Sequence, residues 1–141
     1  MGFGVMGAFV ARAASGVALL WGCMAMAAAA PPDAAGLSSP SWGAIASRAG
    51  WFGYSFNHAS RSAAERAARA QCERAAGRAG PCEVRAYFDR SCGALATGNY
   101  GEWGAGIAPT ANAAGQAAVT QCDGHLPTEP CKVVVSVCSP G

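Results

Sequence analysis

Charge is scarce in this chain of 141 residues: acidic and basic side chains make up 13% of it, and a single lysine accompanies nine arginines. The formal net charge is only +2, so the chain has no strong attraction to polyanions and no nucleic-acid partner is expected. Apolar residues reach 52%, which excludes an intrinsically disordered protein, because such chains are poor in apolar groups. The length suits one domain.

Catalytic and cofactor motifs are also missing. The chain has no G-x-S-x-G elbow, no H-E-x-x-H zinc motif, no phosphate-binding glycine loop and no C-x-x-C pair. Asp123 and His125 are close in sequence to Glu129, but they lie between two cysteines and are interpreted as part of a solvent-exposed loop. We therefore expect no cofactor and no metal site.

The first thirty residues have the layout of an export signal. Arg12 is their only charge, and an apolar stretch centred on 17–21 thins into small residues that include Ala25 and Ala27. This layout is typical of a secretory signal peptide cleaved after Ala27. We predict a signal peptide over 1–27, a disordered Ala/Pro/Ser linker over 28–41, and a domain over 42–141 in the periplasm or outside the cell.

The leader has two other interpretations. The uncharged stretch 13–30 approaches the length of a membrane span, but about half of it is Ala or Gly, which insert weakly. No transmembrane segment is therefore expected in the mature chain. The residues before Cys23, Leu20-Trp21-Gly22, resemble a lipobox, so a lipoprotein attached through Cys23 is the less favoured alternative.

Six cysteines remain after removal of the signal, and an even number in a small exported domain predicts a disulfide framework. Six cysteines allow 15 pairings, and their number alone does not choose among them. The residues concerned are Cys72, Cys82, Cys92, Cys122, Cys131 and Cys138.

An internal repeat with an offset of about fifty residues narrows the choice among these cysteine pairings. Three short motifs recur in order: Gly43-Ala44-Ile45-Ala46 as Gly93-Ala94-Leu95-Ala96, Gln71-Cys72 as Gln121-Cys122, and Pro81-Cys82 as Pro130-Cys131. The repeat divides the domain into units 42–91 and 92–141, each with the predicted order ββαβ. The predicted fold is α+β, with a mostly antiparallel sheet, two alanine-lined helices on one face, and disulfide staples.

The equivalence of the two units favours matching local bridges, Cys72–Cys82 and Cys122–Cys131. Cys92 and Cys138 are then left to pair with each other, and we expect that bridge to join the two units.

These residues together resemble a known family. The segments that carry the likeness are Trp42-Gly43-Ala44-Ile45-Ala46, Gly53-Tyr54-Ser55 with Asn57, the alanine-rich helix ending at Cys72, Cys92-Gly93-Ala94-Leu95-Ala96, Trp103-Gly104-Ala105-Gly106, Cys122, Cys131 and Val133-Val134-Val135-Ser136-Val137-Cys138. They resemble the bacterial exported family catalogued as domain of unknown function 4189, over residues 42–138. The resemblance implies export and a cysteine-bonded domain, and it implies no activity and no catalytic residues.

Aromatic residues near strand ends and turns give the candidate binding surface: Trp51, Tyr100 and Trp103. For Trp103, as for Trp42, the alternative is a place in the core. Exposed Trp and Tyr beside polar groups are common anchors of binding surfaces. For catalysis, the candidate residues are the carboxylates Asp89 and Glu102 at the junction of the units, and His58.

Without an assembled catalytic motif, the sequence favours a small exported, non-enzymatic domain. Its expected partner is a protein or a component of the cell wall, in an effector-like or inhibitor-like role. One alternative is an extracellular or periplasmic enzyme that acts on a cell-wall polymer through Asp89 and Glu102. The other is a structural envelope lipoprotein.

Overall fold

The computed structural model describes residues 39–141, so the predicted signal peptide, Cys23 and most of the predicted 28–41 linker lie outside the described residues. The elements are β1 (Trp42–Arg48), β2 (Trp51–His58), α1 (Arg61–Ala76), a short 3₁₀ turn (Gly77–Ala79), β3 (Glu83–Asp89), β4 (Cys92–Thr97), β5 (Trp103–Ala108), α2 (Ala111–Asp123) and β6 (Lys132–Cys138). Neither helix of this part of the chain is long and apolar enough to span a membrane.

The strands form two antiparallel sheets of three strands, in the orders β2-β1-β3 and β5-β4-β6. The predicted α+β fold with antiparallel strands and disulfide staples is confirmed. The arrangement differs from the prediction in one respect. A single sheet with both helices on one face was predicted, whereas the structure has two sheets, the first covered by α1 and the second by α2. The layers are ordered α1, first sheet, second sheet, α2.

The central strands β1 and β4 explain why two sheets form. Both are buried on both faces: Ala44 and Ala46 contact α1, whereas Ile45 points the opposite way into a cluster shared with Leu95 of β4. A single sheet with helices on one face would leave Ile45 and Leu95 in water. Packing the sheets face to face buries both side chains completely.

Phe88 of β3 is the largest side chain at the centre of the sheet–sheet interface, and only 2% of its surface is exposed. Its ring lies against Gly43 of β1 and Gly93 of β4, where a Cβ atom on either glycine would collide with it. The two equivalent glycines therefore create the space that one aromatic ring fills.

The outer layers use small residues to bring helix and sheet together. Among the buried residues, α1 contributes Ala64, Ala68, Cys72 and Ala76, and α2 contributes Ala114, Gly115, Ala118 and Cys122. At Gly53 and Gly104 the helix backbone lies so close to the strand that a Cβ atom would collide with it. Alanine is the residue expected to line the helices, and these two glycines, together with Gly106, complete the fit.

Both helices are tied to their sheets by the same polar contacts. The Gln71 side chain accepts a hydrogen bond from the amide of Tyr54 at 2.6 Å, and Gln121 does the same for Ala105 at 2.5 Å. These amides lie in β2 and β5, which each pair with one strand only. The recurring glutamine thus satisfies a backbone donor on the open edge of each sheet.

The structure contains the disulfides Cys72–Cys82, Cys122–Cys131 and Cys92–Cys138. The first two each link the last turns of a helix to the start of the following strand, as the sequence suggested. The expectation that Cys92–Cys138 joins the two units is wrong. Cys92 and Cys138 are register partners on β4 and β6, so the bridge closes the second unit on itself. The first unit has Trp42 and Asp89 at the corresponding positions.

Hydrogen bonds at the end of the sandwich hold the two units together instead. Ser139, which follows β6 and is fully buried, accepts a hydrogen bond from the amide of Asn57 at 2.8 Å. Its hydroxyl also lies 2.9 Å from that of Ser41. Asn57 belongs to the first unit, Ser41 directly precedes that unit, and Ser139 belongs to the second, so this cluster complements the packing of Phe88 at the interface.

We predict that Phe88→Ala lowers the free energy of unfolding by about 3–5 kcal/mol, the usual range for removal of a buried aromatic ring. The matched control is Phe56→Ala, because the Phe56 side chain is 49% exposed. Denaturant unfolding of the oxidised protein measures both changes. Equal losses in the two variants would contradict the central position given to Phe88.

A second prediction compares Gly104 of β5, which faces α2, with Gly115, which lies within α2. Gly104→Ala is expected to destabilise the fold by about 1–3 kcal/mol, because the added methyl collides with helix backbone. Gly115→Ala is expected to stabilise it by about 0.5–1 kcal/mol, since its methyl meets Val133 at an ordinary 3.4 Å and alanine favours the helix. Thermal unfolding gives both signs. A stabilising Gly104→Ala would show that α2 does not lie this close to β5.

Candidate functional site

A crevice of about 540 Å³ opens between the two sheets at the end where both hairpins turn. The β1–β2 hairpin supplies one side of it and the β4–β5 hairpin the other. Its lining residues are Ser47, Ala49, Gly50, Trp51, Phe52, Arg85, Leu95, Thr97, Gly98, Asn99, Gly101, Glu102, Trp103 and Val134. Both units contribute, so the crevice exists only when the sheets are packed together.

Two β-bulges at equivalent positions direct side chains into the crevice. In the first sheet Ile45 pairs with Ala86 and the next residue pairs with Val84, so Arg85 is the extra residue of the bulge. In the second sheet the pairing skips Val134 in the same way. A bulge changes the direction of a side chain relative to the regular alternation of a strand. Arg85 and Val134 both line the crevice.

Arg85 links the two walls of the crevice. Its guanidinium carbon lies 4.2 Å from the centre of the Trp103 ring on the opposite sheet, which is a cation–π contact. Its Nε donates to the Ser47 hydroxyl at 3.0 Å, and its Nη1 forms an ion pair with Glu83 at 2.6 Å. These contacts hold the side chain in place and balance its charge.

The β4–β5 loop is held in shape by its own polar groups. The Glu102 carboxylate accepts a hydrogen bond from the amide of Tyr100 at 2.8 Å, and the Gly98 amide donates to the Glu102 carbonyl at 2.8 Å. Asn99 donates from its side chain to Thr128 at 2.6 Å. These bonds place Glu102 and Asn99 at the rim of the crevice.

Comparison with known proteins identifies the domain that carries this crevice. The family model described as "Domain of unknown function (DUF4189)" matches residues 42–138. The chain belongs to the DUF4189 family. Curated proteins and solved structures give no significant match. The matched range runs from the start of β1 to the end of β6, so the whole crevice is part of the DUF4189 domain.

The structure places the three aromatic candidates around the crevice. Trp51 and Trp103 line it from opposite sheets. Tyr100 is on the adjoining loop, 77% exposed, and is not among the lining residues. Sequence reasoning missed Arg85, because regular alternation would place it on the opposite face of β3 from Ala86 and Phe88. The bulge that redirects it leaves no distinct signal in the residues themselves.

The two candidate catalytic carboxylates do not lie together. Asp89 ends β3 opposite Trp42, where it accepts a hydrogen bond from the Ser41 amide at 2.8 Å and forms an ion pair with Arg90 at 2.9 Å. Glu102 is at the hairpin end, one strand length away. A strand of six or seven residues spans about 20 Å, whereas glycoside hydrolysis needs carboxyl groups within about 10 Å.

The candidate histidines are also separate from the crevice. His58 ends β2 beside Trp42, and His125 follows α2, where its amide donates to the Cys122 carbonyl. Residues 39–141 contain no group of three His, Cys, Asp or Glu side chains suited to a metal ion.

A second open surface lies on the DUF4189 domain between α2 and β6. It is a shallow groove of about 760 Å³, lined by Ala111, Asn112, Gly115, Gln116, Val119, Thr120, Val133 and Ser136. In the first unit the corresponding surface is occupied by the Tyr87 ring, with the Arg61 guanidinium 3.3 Å from its centre. Glu65 binds Arg61 at 2.7 Å, and this hydrogen bond raises the pKa of Arg61. In the second unit, the residues that line this groove include no aromatic and no charged side chain.

Proposed function

We propose that this DUF4189 domain is an exported, non-enzymatic binding domain, and that it holds a protein or wall-associated partner in the crevice between its sheets. The observation that carries the proposal is the convergence of Trp51, Trp103 and Arg85 from separate strands on one cavity. Aromatic and arginine side chains are the residue types most enriched at the energetic centres of binding sites.

Export is supported by the cysteine usage. Three disulfides persist in oxidising compartments and are rare in the cytosol. Together with the signal-peptide layout of residues 1–27, they support a mature domain in the periplasm or outside the cell. An effector-like or inhibitor-like role fits a compact, crosslinked scaffold of this kind.

A duplication of one ββαβ unit is also part of the proposal. It is supported by the equivalent disulfides, the equivalent glutamine contacts and the two bulges, which occur at the same place in each half. The crevice then lies between two copies of one unit, and each copy contributes the same hairpin to it.

The arrangement of acidic groups supports binding over hydrolysis. Glu102 is the only carboxylate among the lining residues of the crevice, and its Oε2 already accepts the Tyr100 amide. The general acid and base of a typical glycosidase come from a pair of such groups.

The test compares Trp51→Ala with Phe56→Ala, two exposed aromatic residues of β2, of which only Trp51 lines the crevice. The oxidised mature chain is immobilised and exposed to the envelope and secreted fractions of the source organism. We expect the wild type and Phe56→Ala to retain the same saturable partner, and Trp51→Ala to bind it about tenfold more weakly, a loss of about 1.4 kcal/mol.

Near-UV circular dichroism of the variants confirms that each is folded before binding is compared. Undiminished capture by Trp51→Ala would place the partner elsewhere on the domain. Turnover of a wall polymer by the wild type, lost in a folded Glu102→Ala variant, would replace the binding proposal with an enzymatic one.

A further inference from the structure

The charges around the crevice are balanced. Its lining carries one basic residue, Arg85, and one acidic residue, Glu102. Arg85 is already paired with Glu83 at 2.6 Å. An anionic ligand would compete with Glu83 for the guanidinium and lie near Glu102. A cationic ligand would find a single carboxylate and a nearby positive charge. An uncharged ligand is favoured over both.

The walls of the crevice combine apolar rings with open hydrogen-bonding groups. Trp51 is 47% exposed, so its indole is accessible at the rim, and Phe52 lies beside it. Within residues 39–141, Oε1 of Glu102 and Oδ1 of Asn99 accept no protein hydrogen bond. Nη2 of Arg85 likewise has no protein acceptor in this part of the chain. The crevice therefore offers two acceptors and one donor near an aromatic wall.

This combination matches the chemistry of a sugar ring. One face of a pyranose presents C–H groups with a slight positive charge, which suits the negative face of an indole. Its hydroxyl groups both donate and accept hydrogen bonds, so they can serve carboxylate, amide and guanidinium together. A purely apolar ligand would leave those three groups without partners, which is unfavourable once water is excluded.

We infer that the ligand held in the crevice is an uncharged sugar unit of a glycan, stacked on Trp51 and hydrogen-bonded by Glu102, Asn99 and Arg85. This inference rests on the proposed function, because it takes the crevice to be the binding site, and it specifies the wall-associated partner as a carbohydrate. A peptide with an aromatic side chain is the competing occupant, and the experiment separates the two.

The experiment titrates the oxidised mature chain with four probes: cellotriose, tri-N-acetylchitotriose, trigalacturonic acid and a tyrosine-containing tripeptide. NMR signals of the Trp51 and Trp103 indole N–H groups report occupation of the crevice, and tryptophan fluorescence gives the affinity. We expect saturable shifts of both indole signals with at least one of the two uncharged sugars. Trp51→Ala should weaken this binding about tenfold, and Phe56→Ala should leave it unchanged.

The variant Glu102→Gln tests the charge argument, because it removes the negative charge and keeps a side chain that can form a hydrogen bond with a hydroxyl group. Binding of an uncharged sugar should change by less than about threefold, a difference below 1 kcal/mol. If Glu102→Gln weakens binding of the uncharged sugar tenfold or more, binding depends on the carboxylate charge, and the inference is overturned.

The failures of the two proposals are distinguishable. If the tripeptide or the acidic sugar shifts the indole signals and neither uncharged sugar does, the sugar inference is wrong and the crevice remains the binding site. If no probe shifts these signals, the sugar inference is also wrong. If, in addition, the partner captured from the envelope and secreted fractions binds the Trp51→Ala variant as tightly as it binds the wild type, the proposed function fails too.

Discussion

The close approach of each helix to its sheet is the constraint on which the structure depends. At Gly53 and Gly104 there is no room for a Cβ atom between strand and helix backbone, and the facing helix positions are mostly alanine. Burial of apolar surface stabilises a fold by about 25 cal/mol per Å². Small side chains bury little apolar surface, so these layers gain little from the hydrophobic effect. Each short disulfide, Cys72–Cys82 or Cys122–Cys131, contributes about 2.7 kcal/mol by restricting the unfolded chain.

The interface between the sheets is built differently, and the crevice follows from that difference. Phe88, Ile45 and Leu95 fill its centre, and hydrogen bonds of Ser139 close one end. At the other end the bulges turn Arg85 and Val134 inward and the hairpins spread apart. The outer layers thus form the frame, and large side chains from both units, among them Trp51, Phe52 and Trp103, line the cavity.

Many of the strands, helices and short disulfides could be predicted from the sequence, because they depend on patterns among residues that are close together in the chain. The matched spacing of the cysteines indicated both short bridges, and the predicted order ββαβ is found in each half of the domain. The separation into two sheets could not be predicted, since Ile45 and Leu95 each stand alone between alanines and show no apolar second face by themselves. Only part of the crevice could be predicted from the sequence. Trp51 and Trp103 were recognisable as aromatic residues near turns, whereas the position of Arg85 depends on a bulge.

Thermal unfolding of residues 28–141 with and without a reducing agent, followed by near-UV circular dichroism, tests this account most directly. If the alanine-lined layers depend on their crosslinks, the oxidised protein unfolds cooperatively and the reduced protein shows no cooperative transition above room temperature, because the three bridges together are comparable with the 5–15 kcal/mol stability of a whole domain. A reduced protein that keeps its near-UV signal and unfolds within a few degrees of the oxidised one would contradict it.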